Sequence, residues 1–164
     1  MKLNRLQALL HGAGRHPTSR EVGTLVEEAR QALADLLGVH DPAEIVFGQN
    51  MTTLPFALSR SLARTWKPGD EIVLTRLDHD ANVTPWVLAA ADAGVTVRYL
   101  DVDPVDCTLR LDRLPALLND RTRLVAVGLA SNAVGTINRV RDVAAAAREP
   151  GGTDRCSRSL RGRR

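Results

Sequence analysis

The chain has 164 residues, 44% hydrophobic and 25% charged, which suits one domain with a core and is short for two. That balance excludes a disordered polyelectrolyte, and no apolar run reaches the length of a membrane span. The net charge of +3 is unevenly placed: residues 151–164 carry five arginines and one acid, so residues 1–150 stand at −1, too near neutral to grip a phosphate backbone.

The first residues, Met-Lys-Leu-Asn-Arg-Leu, lack the apolar core and small-residue cleavage site of a secretory signal, so a cytoplasmic protein is the expectation. Cys107 and Cys156 have no metal-type spacing and no completing Cys or His pair, which argues against zinc.

Taken in order, Val22, Leu25, Val26, Ala29, Leu33, Leu36 and Leu37 recur at helical spacing. Thr18 and Glu21 form a capping box for this helix, and Gly38 supplies its stop. Glu44–Phe47 reads as a short strand, and a helix follows over about Thr53–Thr65 with Pro55 in its first turn. Lys67-Pro68-Gly69-Asp70 is a turn, and Glu71–Thr75 is a buried strand. A helix over Asn82–Ala93 ends at Gly94, and Val95–Leu100 is the next strand. Asp101–Arg110 is a polar loop, Leu111–Leu118 a short helix, Leu124–Gly128 a strand and Arg139–Arg148 a last helix. Alternating strands and helices with short connections predict an α/β fold, a mainly parallel sheet flanked by helices.

Open parallel sheets bind ligands beyond the carboxyl ends of their strands. Three segments in such positions are polar: Gly48–Thr53, Arg76–Asn82 and Leu129–Thr136. The first leads into a helix, whose unpaired N–H groups suit a phosphate, although Thr52 or Thr53 could serve simply as a cap. His79 is able to stack on an aromatic ligand or move a proton, or is an ordinary hydrogen-bonded loop residue. Asn132 can donate to a ligand oxygen, though Ser-Asn before Gly also marks a plain turn. Gly12-Ala13-Gly14 lacks the third glycine of a dinucleotide fingerprint, and the Asp101/Asp103/Asp106 loop lacks the glycine and third ligand of a calcium loop.

Five blocks together resemble the cysteine desulfurase (class V aminotransferase) family of pyridoxal-phosphate (PLP) enzymes. They are Phe47–Leu54, Lys67–Val73, Leu77–Trp86, Arg121–Val127 and Ala130–Asn138. The resemblance runs over about residues 10–149. It implies an incomplete large domain of a PLP-dependent transferase at residues 1–149, followed by a basic, disordered or frameshifted tail at 150–164. It implies a PLP phosphate held by Thr52 with the backbone of Asn50 and Met51, the ring against His79 acting also as catalytic proton carrier, and the ring hydroxyl bonded by Asn132. The family's activity is sulfur abstraction from L-cysteine.

The departures are equally specific. Pyridoxal chemistry needs a Schiff-base lysine and an acid at the pyridine nitrogen. The only lysines are Lys2, near the terminus, and Lys67, in a turn before a strand. The family's acid, lysine and persulfide cysteine would fall beyond residue 149. The apolar pattern breaks after Arg148, and codons for Gly152–Cys156 read one base along can spell Ala-Leu-Thr-Val-Val, which suggests a frameshift. The expectation is therefore a chain truncated before its lysine, inactive alone and weak or negligible in PLP affinity. Alternatives are a non-catalytic dimerising protein, as a homodimer or beside a complementary C-terminal chain, and a nucleic-acid binder acting through the basic tail.

Overall fold

A computed structural model describes residues 17–148. They fall into two compact units, 17–47 and 48–148. The capping role of the Thr18 side chain and the basic tail lie outside the described residues.

The first unit is built on helix α1 (Pro17–Leu37). Its apolar stripe closes on Ala34, which is fully buried, while Leu25, Leu36 and Leu37 are exposed. Gly38 takes a positive φ, and the Val39 amide returns to the Ala34 carbonyl at 2.8 Å, a left-handed helix stop. The predicted strand at 44–47 does not form. The Asp41 carboxylate accepts from the Ala43 amide at 2.9 Å and sets up a 3-10 turn over Pro42–Glu44. Past it, the Ile45 carbonyl is taken by the Arg30 side chain and Arg30 lies over the Phe47 ring. A strand needs a neighbour's backbone, and among the described residues none pairs with 45–47.

The second unit carries the sheet. Helix α2 (Thr53–Ala63) leads through a turn to β1 (Glu71–Thr75). A 3-10 turn (Asp80–Asn82) and helix α3 (Thr84–Ala93) follow, then β2 (Thr96–Leu100). A 3-10 turn (Leu111–Arg113) runs into the single-turn helix α4 (Leu114–Leu117), then β3 (Thr122–Val125) and helix α5 (Val140–Ala146). The order is β2-β1-β3 and both pairings are parallel, as the alternation of elements requires.

Central β1 is buried along its whole length, which is why it reads as a continuous apolar run. Its side chains alternate between two cores. Ile72 and Leu74 pack with Trp86 and Ala90 of α3, Val95 and Ala126. Val73 packs on the other face with Leu100, Leu109, Leu114 of α4 and Val143 of α5. Gly94 ends α3 at φ 66, with its amide reaching the Ala90 and Ala91 carbonyls, the conformation for which glycine is favoured. β3 starts two residues earlier than its apolar residues suggest, because Thr122 is buried opposite Glu71 and joins the ladder there.

The amino ends of the strands are fastened by charge. Glu71 is buried, and its carboxylate accepts from Nε and Nη2 along one edge of the Arg98 guanidinium on β2 and from Asn119 Nδ2, at 2.7 Å, just before β3. The bonds from Arg98, supported by Asn119 and opposed by burial, hold Glu71 at about 2, below its ordinary 4.5. Beside it, Asp70 pairs with Arg123 of β3 at 2.9 Å, which lowers its pKa against the effect of burial.

A group whose pKa is depressed by folding stabilises the fold above its unfolded value, and that contribution is lost as pH falls through the folded value. Chemical denaturation should therefore show stability declining from about pH 5 towards pH 2, with a shallower decline in Glu71→Gln. At neutral pH the same variant should be less stable by about 2 kcal/mol, because the negative charge opposite Arg98 goes and one of the two acceptor oxygens is replaced by an NH2 donor that faces other donors.

Candidate functional site

The carboxyl rim of the sheet is organised by Asp78, three residues past the end of β1. One carboxylate oxygen accepts from the Thr75 hydroxyl at 2.7 Å, and the other from the Gly128 amide, also at 2.7 Å, past the end of β3. A methyl group on Gly128 would run into Asp78 Oδ1, so the close approach requires glycine. Asn138 braces the same point by donating from Nδ2 to the Gly128 carbonyl at 2.8 Å. Asn138 is itself buried, and its Oδ1 has no partner among the described residues.

His79 follows Asp78 directly. Its extended backbone begins the 3-10 turn, and its Nδ1 accepts from the Ala81 amide at 3.0 Å. That bond needs a lone pair on Nδ1, so the neutral ring carries its proton on Nε2, which makes no bond within the described residues. The ring is exposed. The adjoining Asp80 is engaged by the Thr84 hydroxyl at 2.6 Å.

Asn132 sits in the turn of a small hairpin closed by the Ala130–Ile137 bridge. The hairpin is made by Ser131, whose hydroxyl accepts from the Ala133 and Val134 amides and whose carbonyl accepts from the Gly135 amide at 3.1 Å. Gly135 takes φ 75 to close it. With the turn satisfied by Ser131, the Asn132 amide is exposed and unspent.

The Gly48–Thr53 segment departs from the simple capping alternative. The cap of α2 is Asn50: its Oδ1 accepts from the Thr53 amide at 2.9 Å and its carbonyl from the Thr53 hydroxyl at 3.1 Å. Thr52 makes no side-chain cap bond. Met51 and Thr52 are exposed, and their amides have no backbone partner among the described residues. This is an available N–H edge at the start of an 11-residue helix.

The structure thus puts His79 and Asn132 on loops bonded to each other through Asp78 and Gly128. The Asn50–Thr52 segment is related to them by the packing of α2 on α3, the helix that follows His79. Lys67 stands on the other rim, before β1, with its amide bonded to Asp70. Five residues of strand separate the two rims, about 13 Å. Sequence reasoning did not single out Asp78 or Asn138. The available signal for Asp78 was a strand-ending threonine followed three residues later by an acid, with a glycine after the neighbouring strand.

Residues 2–153 match the family model described as aminotransferase class V, and the chain belongs to that family. A cysteine desulfurase of Pectobacterium atrosepticum is 36% identical over 139 residues, which is 84% of this chain and 34% of the relative. The apo cysteine desulfurase of Thermococcus onnurineus superposes with a TM-score of 0.76 at 27% identity, over 88% of this chain and 38% of that one. A lysine-to-alanine mutant of C-DES, with glycine covalently linked to its PLP cofactor, gives a TM-score of 0.72 at 25% identity, over 91% of this chain and 40% of that one. The chain therefore spans about a third of the length of the curated relatives it matches and corresponds to their N-terminal part. No helix among the described residues is long and apolar enough to cross a membrane.

Removing the Asp78 carboxylate should uncouple the two loops. Asp78→Ala should cost about 2 kcal/mol, since two charge-assisted bonds go at once. Hydrogen exchange should then speed up in both 76–82 and 128–138 while β1 stays protected. Acceleration confined to 76–82 would contradict the coupling.

Proposed function

We propose that this chain forms the phosphate- and ring-binding part of a PLP-dependent cysteine desulfurase-like enzyme, and that its turnover needs a lysine absent from this rim. The supporting observation is the contrast at the rim between spent and unspent groups. Asn50, Asp78 and Ser131 use their polar atoms to build the loops. The Thr52 hydroxyl, His79 Nε2 and the Asn132 amide do not.

The donor set suits the cofactor in part. The amides of Asn50 and Met51 with the Thr52 hydroxyl would hold the phosphate, His79 would lie against the ring and hold a proton at Nε2, and Asn132 would bond the ring hydroxyl. When bound, PLP supplies an electron sink for chemistry at the amino-acid α-carbon. Lys67, the only lysine among the described residues, is about 13 Å of strand away at the other rim, so it cannot anchor the cofactor there. The activity implied by the relatives, sulfur transfer from L-cysteine, would then depend on groups from outside the described residues.

A pairing role is compatible with this reading. β2 and β3 are the edges of the described sheet, and Leu129, Val134 and Ile137 beside β3 are exposed. Unpaired edges and apolar residues of this kind are what a second copy or a complementary chain would cover.

The experiment is a PLP titration of the chain followed by absorbance, then borohydride treatment and a cysteine-dependent sulfide assay. The expected result is weak, reversible binding, reduced several-fold further in Thr52→Val and in Asn132→Ala, with no covalent capture at a specific lysine and no sulfide. Specific capture at Lys67 together with sulfide release would overturn the proposal.

A further inference from the structure

The hairpin that carries Asn132 is inside out. Leu129, Val134 and Ile137 are exposed, while Ser131 and Asn138 are buried. A polar side chain goes inside when it has bonds to make there. Ser131 makes its bonds to the turn itself. Asn138 holds the base of the hairpin and takes the carbonyls of two successive residues. Its backbone amide donates to Leu129 and its side-chain Nδ2 to Gly128, each at 2.8 Å. Its own carbonyl accepts from the Val140 amide at 2.9 Å, at the entry to α5.

The side-chain amide can be turned only one way. With Nδ2 and Oδ1 exchanged, an oxygen would face the Gly128 carbonyl oxygen, so Nδ2 is the donor. Oδ1 is then left buried with no partner among the described residues. An unmet buried acceptor costs stability and offsets what the single bond from Nδ2 contributes. Leucine has nearly the same shape and would remove both the bond and the unmet acceptor. What leucine lacks is a hold on Gly128. That residue is gripped at both of its polar atoms, its amide by Asp78 at 2.7 Å and its carbonyl by Asn138. The two grips fix how the hairpin of Asn132 leaves β3 relative to the loop of His79.

We propose that Asn138 is a positioning residue of the ligand rim: by holding the Gly128 carbonyl it sets where Asn132 stands relative to His79, and it adds little to the stability of the fold. Its consequence for binding rests on the reading of the rim as a PLP site, so the test has one arm without ligand and one with it.

The full chain and Asn138→Leu are compared by amide hydrogen exchange without ligand, by urea denaturation, and by PLP titration followed by absorbance. Exchange at the Gly128 amide and across 130–137 should speed up about tenfold in the variant, while β1 stays protected. The urea midpoint should stay close to that of the unsubstituted chain, and PLP affinity should fall several-fold. Ile72→Val, a truncation in the core, is the control: it should lower the midpoint and leave PLP affinity unchanged. If Asn138→Leu does not fold, Asn138→Ala, which removes both polar groups without added bulk, is read in the same way. Unchanged exchange at Gly128 would overturn the proposal. So would a variant that loses stability and still binds PLP as before, or failure of both Asn138 variants to fold, since either makes the residue merely structural. Failure of the unsubstituted chain to bind PLP would sink the reading of the rim, while the exchange measurement still decides the role of Asn138.

Discussion

One carboxylate decides whether this rim is a site or a set of loose ends. Asp78 divides its two oxygens between the Thr75 hydroxyl and the Gly128 amide, so the ends of two adjacent parallel strands are joined where the ladder stops. Loops beyond a sheet have no regular hydrogen bonds to hold them. His79 and Asn132 owe their shared frame to this link, because one is the next residue along and the other stands on the hairpin that Gly128 introduces. The glycine is part of the same device, since only a residue without a side chain lets the carboxylate reach the backbone.

The two ends of the sheet divide the work. At the amino end Glu71, Asp70, Arg98, Arg123 and Asn119 are committed to one another, and Glu71 is held as a carboxylate far below its usual range. These groups fasten the strands and leave little for a ligand. At the carboxyl end the buried and half-buried polar groups build the loops, while the exposed ones keep donors and acceptors in hand. That polarity is the general habit of open parallel sheets, in which binding falls beyond the strand ends. Here it places the candidate PLP contacts beyond the carboxyl ends of β1 and β3.

Much of this was legible in the residues. The apolar run of β1 could only be a doubly covered strand, and Gly94 marked the end of α3. The five family-like blocks led to the right family because they agree in order and spacing over most of the chain. The strand expected at 44–47 was not legible as a turn, because Ile-Val-Phe has the composition of a strand, and pairing depends on a neighbour that composition does not reveal. Asp78 was hidden in plain view: its role depends on Gly128, fifty positions along, coming within hydrogen-bonding distance.

Family membership and the class of fold rest on agreement between sequence match and superposition, whereas the use of the rim rests on where its free groups lie. A crystal structure of the chain soaked with PLP addresses that use most directly. The account predicts the phosphate on the amides of residues 50–52 and the ring between His79 and Asn132, with no bond to Lys67. Density for the cofactor anywhere else, or His79 and Asn132 turned away from a common ligand, would contradict it.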